Sequence, residues 1–264
     1  MYAFDYQRPG SVAAAAAAFQ GDARFLAGGQ SLVQAMRLRL SSSERLVDLG
    51  GIAELKGITV GGGSVVIGAM TTHAAVAASP EVKKALPALA GLAGGIGDAM
   101  VRNMGTIGGS IANADPAADY PAGVVGLNAT VKTSRRSIAA DDFFKGLYET
   151  ALEPGELITA VSFPVPQRAA YVKYRQPASR FALVGVFVAQ TADGVRVAVT
   201  GAAGSVFRCK PIEDALAKSF TPEAAKAVKV SADGLNADLH GSAAYRAAMI
   251  SVMASRAVAA ALAS

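Results

Sequence analysis

The chain has 264 residues, 52% hydrophobic and 17% charged, with 28 glycines dispersed along it and a formal net charge of +5. That composition excludes a disordered chain and gives enough material for one large domain or two to three small ones. One cysteine (Cys209) and two histidines (His73, His240) exclude an internal disulfide, an iron–sulfur cluster or a cysteine-rich zinc site held by this chain alone.

Ser11 opens an Ala-rich helix, and Ala23–Ala27 reads as a short apolar strand ending in a Gly28–Gly29 turn. Ser31–Leu40 carries Leu32, Met36 and Leu40 at helical spacing, and Arg45–Leu49 reads as a second strand. Strand, helix, strand in that order predicts a parallel pair with a crossover helix. Gly61–Gly63 between alternating residues marks a hairpin. A helix is expected from Thr72 to Pro80, another over Glu81–Gly95 and a third over Pro116–Ala129, followed by strands within Thr130–Ala140 and Glu156–Pro164. Beyond Pro166 come three β-rich runs, Ala170–Gln176, Phe181–Gln190 and Val195–Ala203, the last two joined at Asp193–Gly194. From Lys210 the pattern is helical, with Thr221 as a cap and a long apolar helix over Ser242–Ala263. No apolar run approaches the roughly 20 residues of a membrane span. Lys and Arg are scattered and Trp is absent, unlike the basic, aromatic stripe of a nucleic-acid binder.

Two glycine segments carry the chemistry. In Phe25–Val33, Gly28–Gly29 follow a strand and precede a helix, where glycine lets the backbone approach a ligand and the helix start offers N–H groups to a phosphate; Gln30 and Ser31 add side-chain donors. The same pattern fits a plain tight turn. In Gly105–Asn113, Thr106, Gly108, Gly109 and Ser110 repeat the chemistry, and Asp115 and Asp119 follow as acceptors for sugar or ribityl hydroxyls. Two such segments suit a diphosphate gripped from both sides by backbone N–H groups. Neither ends in Gly-Lys-Ser/Thr, and Gly94–Met100 lacks the third glycine of a dinucleotide fingerprint and sits in a helical pattern. On this reading Gly108→Val lowers cofactor occupancy without unfolding the chain.

"AGGQSL", "IGAMTTHA", "IGDAMVRNMGTIGGSIANADPAADYP", "DDFFKG", "PGELITAVSFP" and "AYVKYRQPASRFALVGV" occur in this order. As a set they resemble the FAD-binding medium subunit of molybdenum hydroxylases, the xanthine dehydrogenase and carbon monoxide dehydrogenase family, over essentially the whole chain. The resemblance implies an α+β fold: a vanillyl-alcohol-oxidase-type (PCMH-type) FAD domain at 1–166, split into subdomains near 1–55 and 56–166. A C-terminal α+β domain at 167–264, with a three-stranded antiparallel sheet and helices, completes it. It places FAD contacts on Ala27, Gly28, Gly29, Gln30 and Ser31, on Thr106, Ile107, Gly108, Gly109 and Ser110, and on Asp119. It adds apolar positions Ile96 and Ile158, a basic position at Lys173 and an aromatic near the flavin at Phe181. Met104 and Tyr120 depart from the Arg and Leu usual there, and the Thr130–Ala140 hairpin lacks its customary glycine turn.

The implied function is electron transfer. FAD on this chain takes electrons from [2Fe–2S] clusters of a small subunit, which receives them from a molybdenum cofactor on a large subunit. The external acceptor is a quinone, NAD or oxygen. The expected assembly is a dimer of heterotrimers, cytoplasmic, with no catalytic side chain, metal ligand or nucleic-acid partner on this chain. The rivals are a self-contained FAD-dependent oxidase, which needs acid–base residues facing the flavin, and a cofactor-free scaffold subunit.

Overall fold

The computed structural model describes residues 1–263. The chain opens with β1 (Asp5–Gln7), α1 (Val12–Ala18), β2 (Ala23–Leu26), α2 (Leu32–Arg37) and β3 (Arg45–Asp48). Ser11 caps α1 by accepting from Ala14 N–H. The strands form a parallel sheet in the order β1-β3-β2, so the expected parallel pair is present with one strand added. All three β1 residues are exposed, so no alternation betrays that strand in the sequence. Ala15, Val47, Leu49, Ile52 and Leu55 close a small core beneath it with Met70 and Leu157.

The middle of the chain contains β4 (Ile58–Gly61), β5 (Ser64–Gly68), α3 (His73–Ala78), α4 (Pro80–Ala85), α5 (Pro87–Gly94), α6 (Ala99–Met104), α7 (Ile107–Asn113) and α8 (Tyr120–Gly126). It continues through β6 (Thr130–Thr133), β7 (Ser137–Ala139), α9 (Ala140–Phe143), β8 (Phe144–Gly146), β9 (Glu149–Thr150) and β10 (Ile158–Pro164). A five-stranded antiparallel sheet runs β4-β5-β10-β6-β7. Gly62 and Gly63, at φ +57° and +74°, make the β4–β5 turn as the glycine run foretold.

Two expectations need correction here. The helix expected over Glu81–Gly95 is two, because Pro87 forces Leu86 out of the helical region (φ −149°, ψ 64°). Gly94–Met100 is not helical throughout: α5 ends at Gly94, and Gly97 (φ +47°) turns the chain before Asp98 caps α6. The second glycine segment is mostly a helix, α7, whose Ile107 and Ile111 are fully buried. The β6–β7 hairpin manages without glycine, since Thr133 Oγ1 accepts from the N–H groups of Arg135 and Arg136.

The last part holds β11 (Arg168–Arg175), β12 (Ala182–Thr191), β13 (Gly194–Thr200), β14 (Phe207–Arg208), α10 (Lys210–Lys218), α11 (Pro222–Ala227) and α12 (Ala243–Leu262). Its antiparallel sheet has four strands, β11-β12-β13-β14, rather than three; β14 is two residues long and too short to show a period. β12 is buried from Ala182 to Ala189, which is why it reads as a continuous apolar run. One sheet face (Val184, Val186, Val188) packs on α10 and α12. The other (Phe187, Ala189) joins the core of the middle unit. There α8 comes so close that a Cβ on Gly126 would stand 2.8 Å from the Phe187 ring. No helix is long and apolar enough to cross a membrane among the described residues.

Candidate functional site

Two glycine segments 80 residues apart in sequence meet in space. A Cβ placed on Gly28 would sit 2.1 Å from Met104 O and 2.8 Å from Gly105 Cα. One placed on Gly109 would sit 3.2 Å from Ala27 Cβ. Only glycine fits at position 28, because its neighbours are backbone atoms with no rotamer to yield.

The two segments differ in their donors. Gly29 takes φ +71°, and the N–H groups of Gly28, Gly29, Gln30 and Ser31 have no partner among the described residues, although Gly28, Gly29 and Gln30 are half-buried. Ser31 starts α2 without capping it, leaving its hydroxyl available, and Gln30 Nε2 donates to Gly28 O. Unpaired backbone N–H groups beside a helix start make an anion cradle. In the second segment the donors are used within the chain. Ile107 N–H donates to Thr71 O, Gly108 N–H to Ala69 O, Gly109 N–H to Thr106 Oγ1 and Ser110 N–H to Thr106 O. The symmetric grip on a diphosphate is therefore corrected: the first segment supplies the open N–H groups. The second supplies a glycine-smooth wall at half-buried Gly109 and the hydroxyl of Ser110.

Gly108 is buried against β5's end, where a Cβ would meet Ala69 Cβ at 2.6 Å and Ala69 O at 2.8 Å. It serves packing, so a valine there would disturb the fold as well as any ligand. Ile158 is 4% exposed and sits in the main core on β10. It reaches the site only through its neighbour, because Thr159 O accepts from Ala69 N–H and Ala69 O from Gly108 N–H.

Ile96 and Phe181 each adjoin a residue of one hydrogen bond, Arg180 to the Gly97 carbonyl. Arg102 Nη1 donates to the carbonyls of Ile96 and Gly97, and Arg180 Nη1 reaches the Gly97 carbonyl at 3.1 Å. These two arginines, absent from the expected set, hold the turn before α6 against the turn before β12. Ile96 is half-buried on the core, whereas Phe181 is 45% exposed just before β12, an inner strand of the sheet, and closes no core.

Asp119 and Lys173 form a buried ion pair at 2.8 Å, each side chain 4% exposed, and Tyr171 donates its hydroxyl to the same carboxylate. Burial pushes the Asp119 carboxyl up and Lys173 opposes it; burial drives the Tyr171 hydroxyl well above its ordinary range. Asp119 is held by its backbone surroundings: the Thr200 hydroxyl lies within hydrogen-bond reach of the carbonyls of Pro116 and Ala118, with one proton to donate between them, and Ala182 N–H donates to Ala117 O. Beside the pair lies a cavity of about 200 Å³ lined by Leu92, Gly95, Lys173 and Arg175 among others. That is below the ~300 Å³ of an ordinary small-molecule site, so this cavity is too small to enclose a dinucleotide. No sequence signal pairs Tyr171 with Asp119, which are 52 residues apart.

Cys209 is buried and its thiol is pushed up by that burial, which makes it a packing residue. His73 is buried too, and burial, with Arg102 adding repulsion, lowers its imidazole to about 4.

A parallel three-stranded unit, a five-stranded antiparallel unit and two abutting glycine segments, the first with open N–H groups, define a flavin-binding α+β domain with a C-terminal companion. Residues 2–166 match the model of the family described as the FAD binding domain in molybdopterin dehydrogenase, and the chain belongs to that family. It is 38% identical to the carbon monoxide dehydrogenase medium chain of Hydrogenophaga pseudoflava over 97% of this chain and 96% of that one. It is 37% identical to the nicotine 6-hydroxylase medium subunit of Paenarthrobacter nicotinovorans over 90% and 89%. Among solved structures it superposes on carbon monoxide dehydrogenase from Hydrogenophaga pseudoflava lacking the Mo-pyranopterin moiety, with a TM-score of 0.89, 38% identity and 98% and 97% coverage. The residues present fit FAD, since the cradle at Gly28–Ser31 is open where a diphosphate needs donors.

Proposed function

We propose that this chain is the flavin-carrying subunit of a molybdenum hydroxylase complex and relays electrons from the clusters of a small iron–sulfur subunit to an external acceptor. FAD, when bound, stores two electrons and exchanges them singly, which no amino-acid side chain here provides. The chain's own residues hold and orient it. The N–H groups of Gly28, Gly29, Gln30 and Ser31 neutralise the diphosphate without a lysine, aided by the Ser31 hydroxyl. Half-buried Ala27, Gly109 and Ser110 form the facing wall, with buried Thr106, Ile107 and Gly108 supporting it from behind. Ile96 and Phe181, each next in sequence to a partner in the Arg180–Gly97 hydrogen bond, flank the ring system. Asp119 and Lys173 act as one neutral pair that fixes the start of α8 against β11, while Ile158 supports the wall from the core.

Residues 1–166 form the FAD-binding unit, with subdomains meeting near residue 55, and the remainder braces Asp115–Asp119 from the sheet end. The relatives carry different substrates in their names, carbon monoxide and nicotine, on closely similar medium subunits. Substrate choice therefore belongs to a large molybdenum-cofactor subunit. The acceptor is a quinone, NAD or oxygen, the assembly a dimer of heterotrimers, and the compartment the cytoplasm.

The abutting of the two glycine segments carries this reading. Gentle purification from the native host, with flavin, iron and molybdenum measured per chain, tests it. Co-elution with a cluster-bearing small chain and a molybdenum-bearing large chain is expected. Elution alone with FAD and no metal points to a self-contained oxidase, and elution without flavin to a scaffold.

A further inference from the structure

Arg45 Nε, His73 Nδ1, Tyr120 Oη and Arg246 Nε are buried without a hydrogen-bond partner among the described residues. The two arginines bond through their other nitrogens. The side chains of His73 and Tyr120 make no hydrogen bond at all. Their rings touch, with centroids 5.3 Å apart, and the residues are 4% and 0% exposed. A buried polar atom left unpaired is costly, and native structures rarely keep two side by side. Burial keeps His73 neutral at ordinary pH, so one ring nitrogen accepts and the other donates.

This pair stands under the second glycine segment. His73 N–H donates to Gly105 O at 3.0 Å, and a Cβ on Gly105 would lie 2.6 Å from His73 Nε2. Gly105 in turn touches the space of Gly28, and Tyr120 follows Asp119 at the start of α8. We propose that one buried water bridges His73 Nδ1 and Tyr120 Oη, and that the two are positioning residues holding the second segment in register with the first. The bridge ties the residue preceding Thr106 to the residue following Asp119. Internal waters make two to four hydrogen bonds, and these two atoms supply the minimum. Without the bridge, the imidazole is free to tilt and Gly105 shifts away from Gly28. The proposal rests on the assignment of these segments to FAD.

The test is titration of the apoprotein with FAD for wild type, Tyr120→Phe, His73→Phe and the double variant, with Tm measured alongside. Each single change strands the other's polar atom. FAD Kd should therefore rise about tenfold in each, and about tenfold, not a hundredfold, in the double variant. If His73→Phe does not fold, Tyr120→Phe still decides, since removing a truly unused hydroxyl raises Tm and leaves Kd alone. A Kd for Tyr120→Phe within about twofold of wild type, whatever its Tm, overturns the proposal, as does an additive double variant. Wild-type protein that takes up no FAD overturns the cofactor reading together with this proposal, whereas wild-type binding with an unchanged Tyr120→Phe overturns this proposal alone.

Discussion

Gly28→Ala is the sharpest perturbation of the candidate site. Its new methyl would enter 2.1 Å from Met104 O, 2.7 Å from Met104 C and 2.8 Å from Gly105 Cα. A carbon and a carbonyl oxygen need on the order of 3.3 Å, so the two segments must part by about 1 Å. Every neighbour is backbone, so no rotamer change relieves the clash. Overpacking of this kind costs about 1–3 kcal/mol. If the strain is released by parting the two segments, it appears in FAD binding as a Kd raised about 5- to 150-fold. Fluorescence titration of apoprotein with FAD reads this directly. Gly10→Ala is the control, because a Cβ there meets nothing within 4 Å. A Gly28→Ala Kd within about twofold of wild type would refute the argument that close contact of the segments builds the site.

Lys173→Met strands the buried Asp119 carboxylate and should cost about 3–5 kcal/mol in urea unfolding, whereas a loss below about 1 kcal/mol would mean that the pair is not formed. Phe181→Ala should change stability by no more than about 0.5 kcal/mol, since the ring is half exposed, yet shift the bound flavin's absorption; an unchanged spectrum removes Phe181 from the cofactor. Gly108→Val should lower Tm together with flavin content, because the valine meets Ala69 first, and a stable, flavin-free variant would contradict that. His73 has a folded pKa of about 4 against 6.5 unfolded, so folding favours the neutral ring. Its contribution is complete above pH 6.5 and is lost as pH falls toward 4, about 3 kcal/mol in all. Urea midpoints between pH 7 and 4 should fall more steeply in wild type than in His73→Gln, and parallel slopes would dismiss the effect.

Much was legible from the residues alone. Gly62–Gly63 specified the β4–β5 hairpin because only a positive-φ pair turns there, and the unbroken apolar run of Ala182–Ala189 announced a strand covered on both faces. The order of motifs around Gly28, Thr106 and Asp119 was enough to point to FAD. Other elements left no trace: β1 has no buried face and β14 no length, so neither carries a period. Leu86 before Pro87 split a helix that the apolar pattern ran straight through.

The sequence by itself determined which stretches are conformationally permissive and which groups could bond a cofactor, because φ freedom and donor type are properties of each residue. Only the tertiary structure decided which donors remain open. The N–H groups of Ile107 and Gly108 are consumed by Thr71 and Ala69, while those of Gly28–Ser31 are left unpaired. Asp119 found its partners 52 and 54 residues away in Tyr171 and Lys173. Such pairings depend on which strands lie side by side, and hydrogen bonds once made within the fold are withdrawn from a ligand.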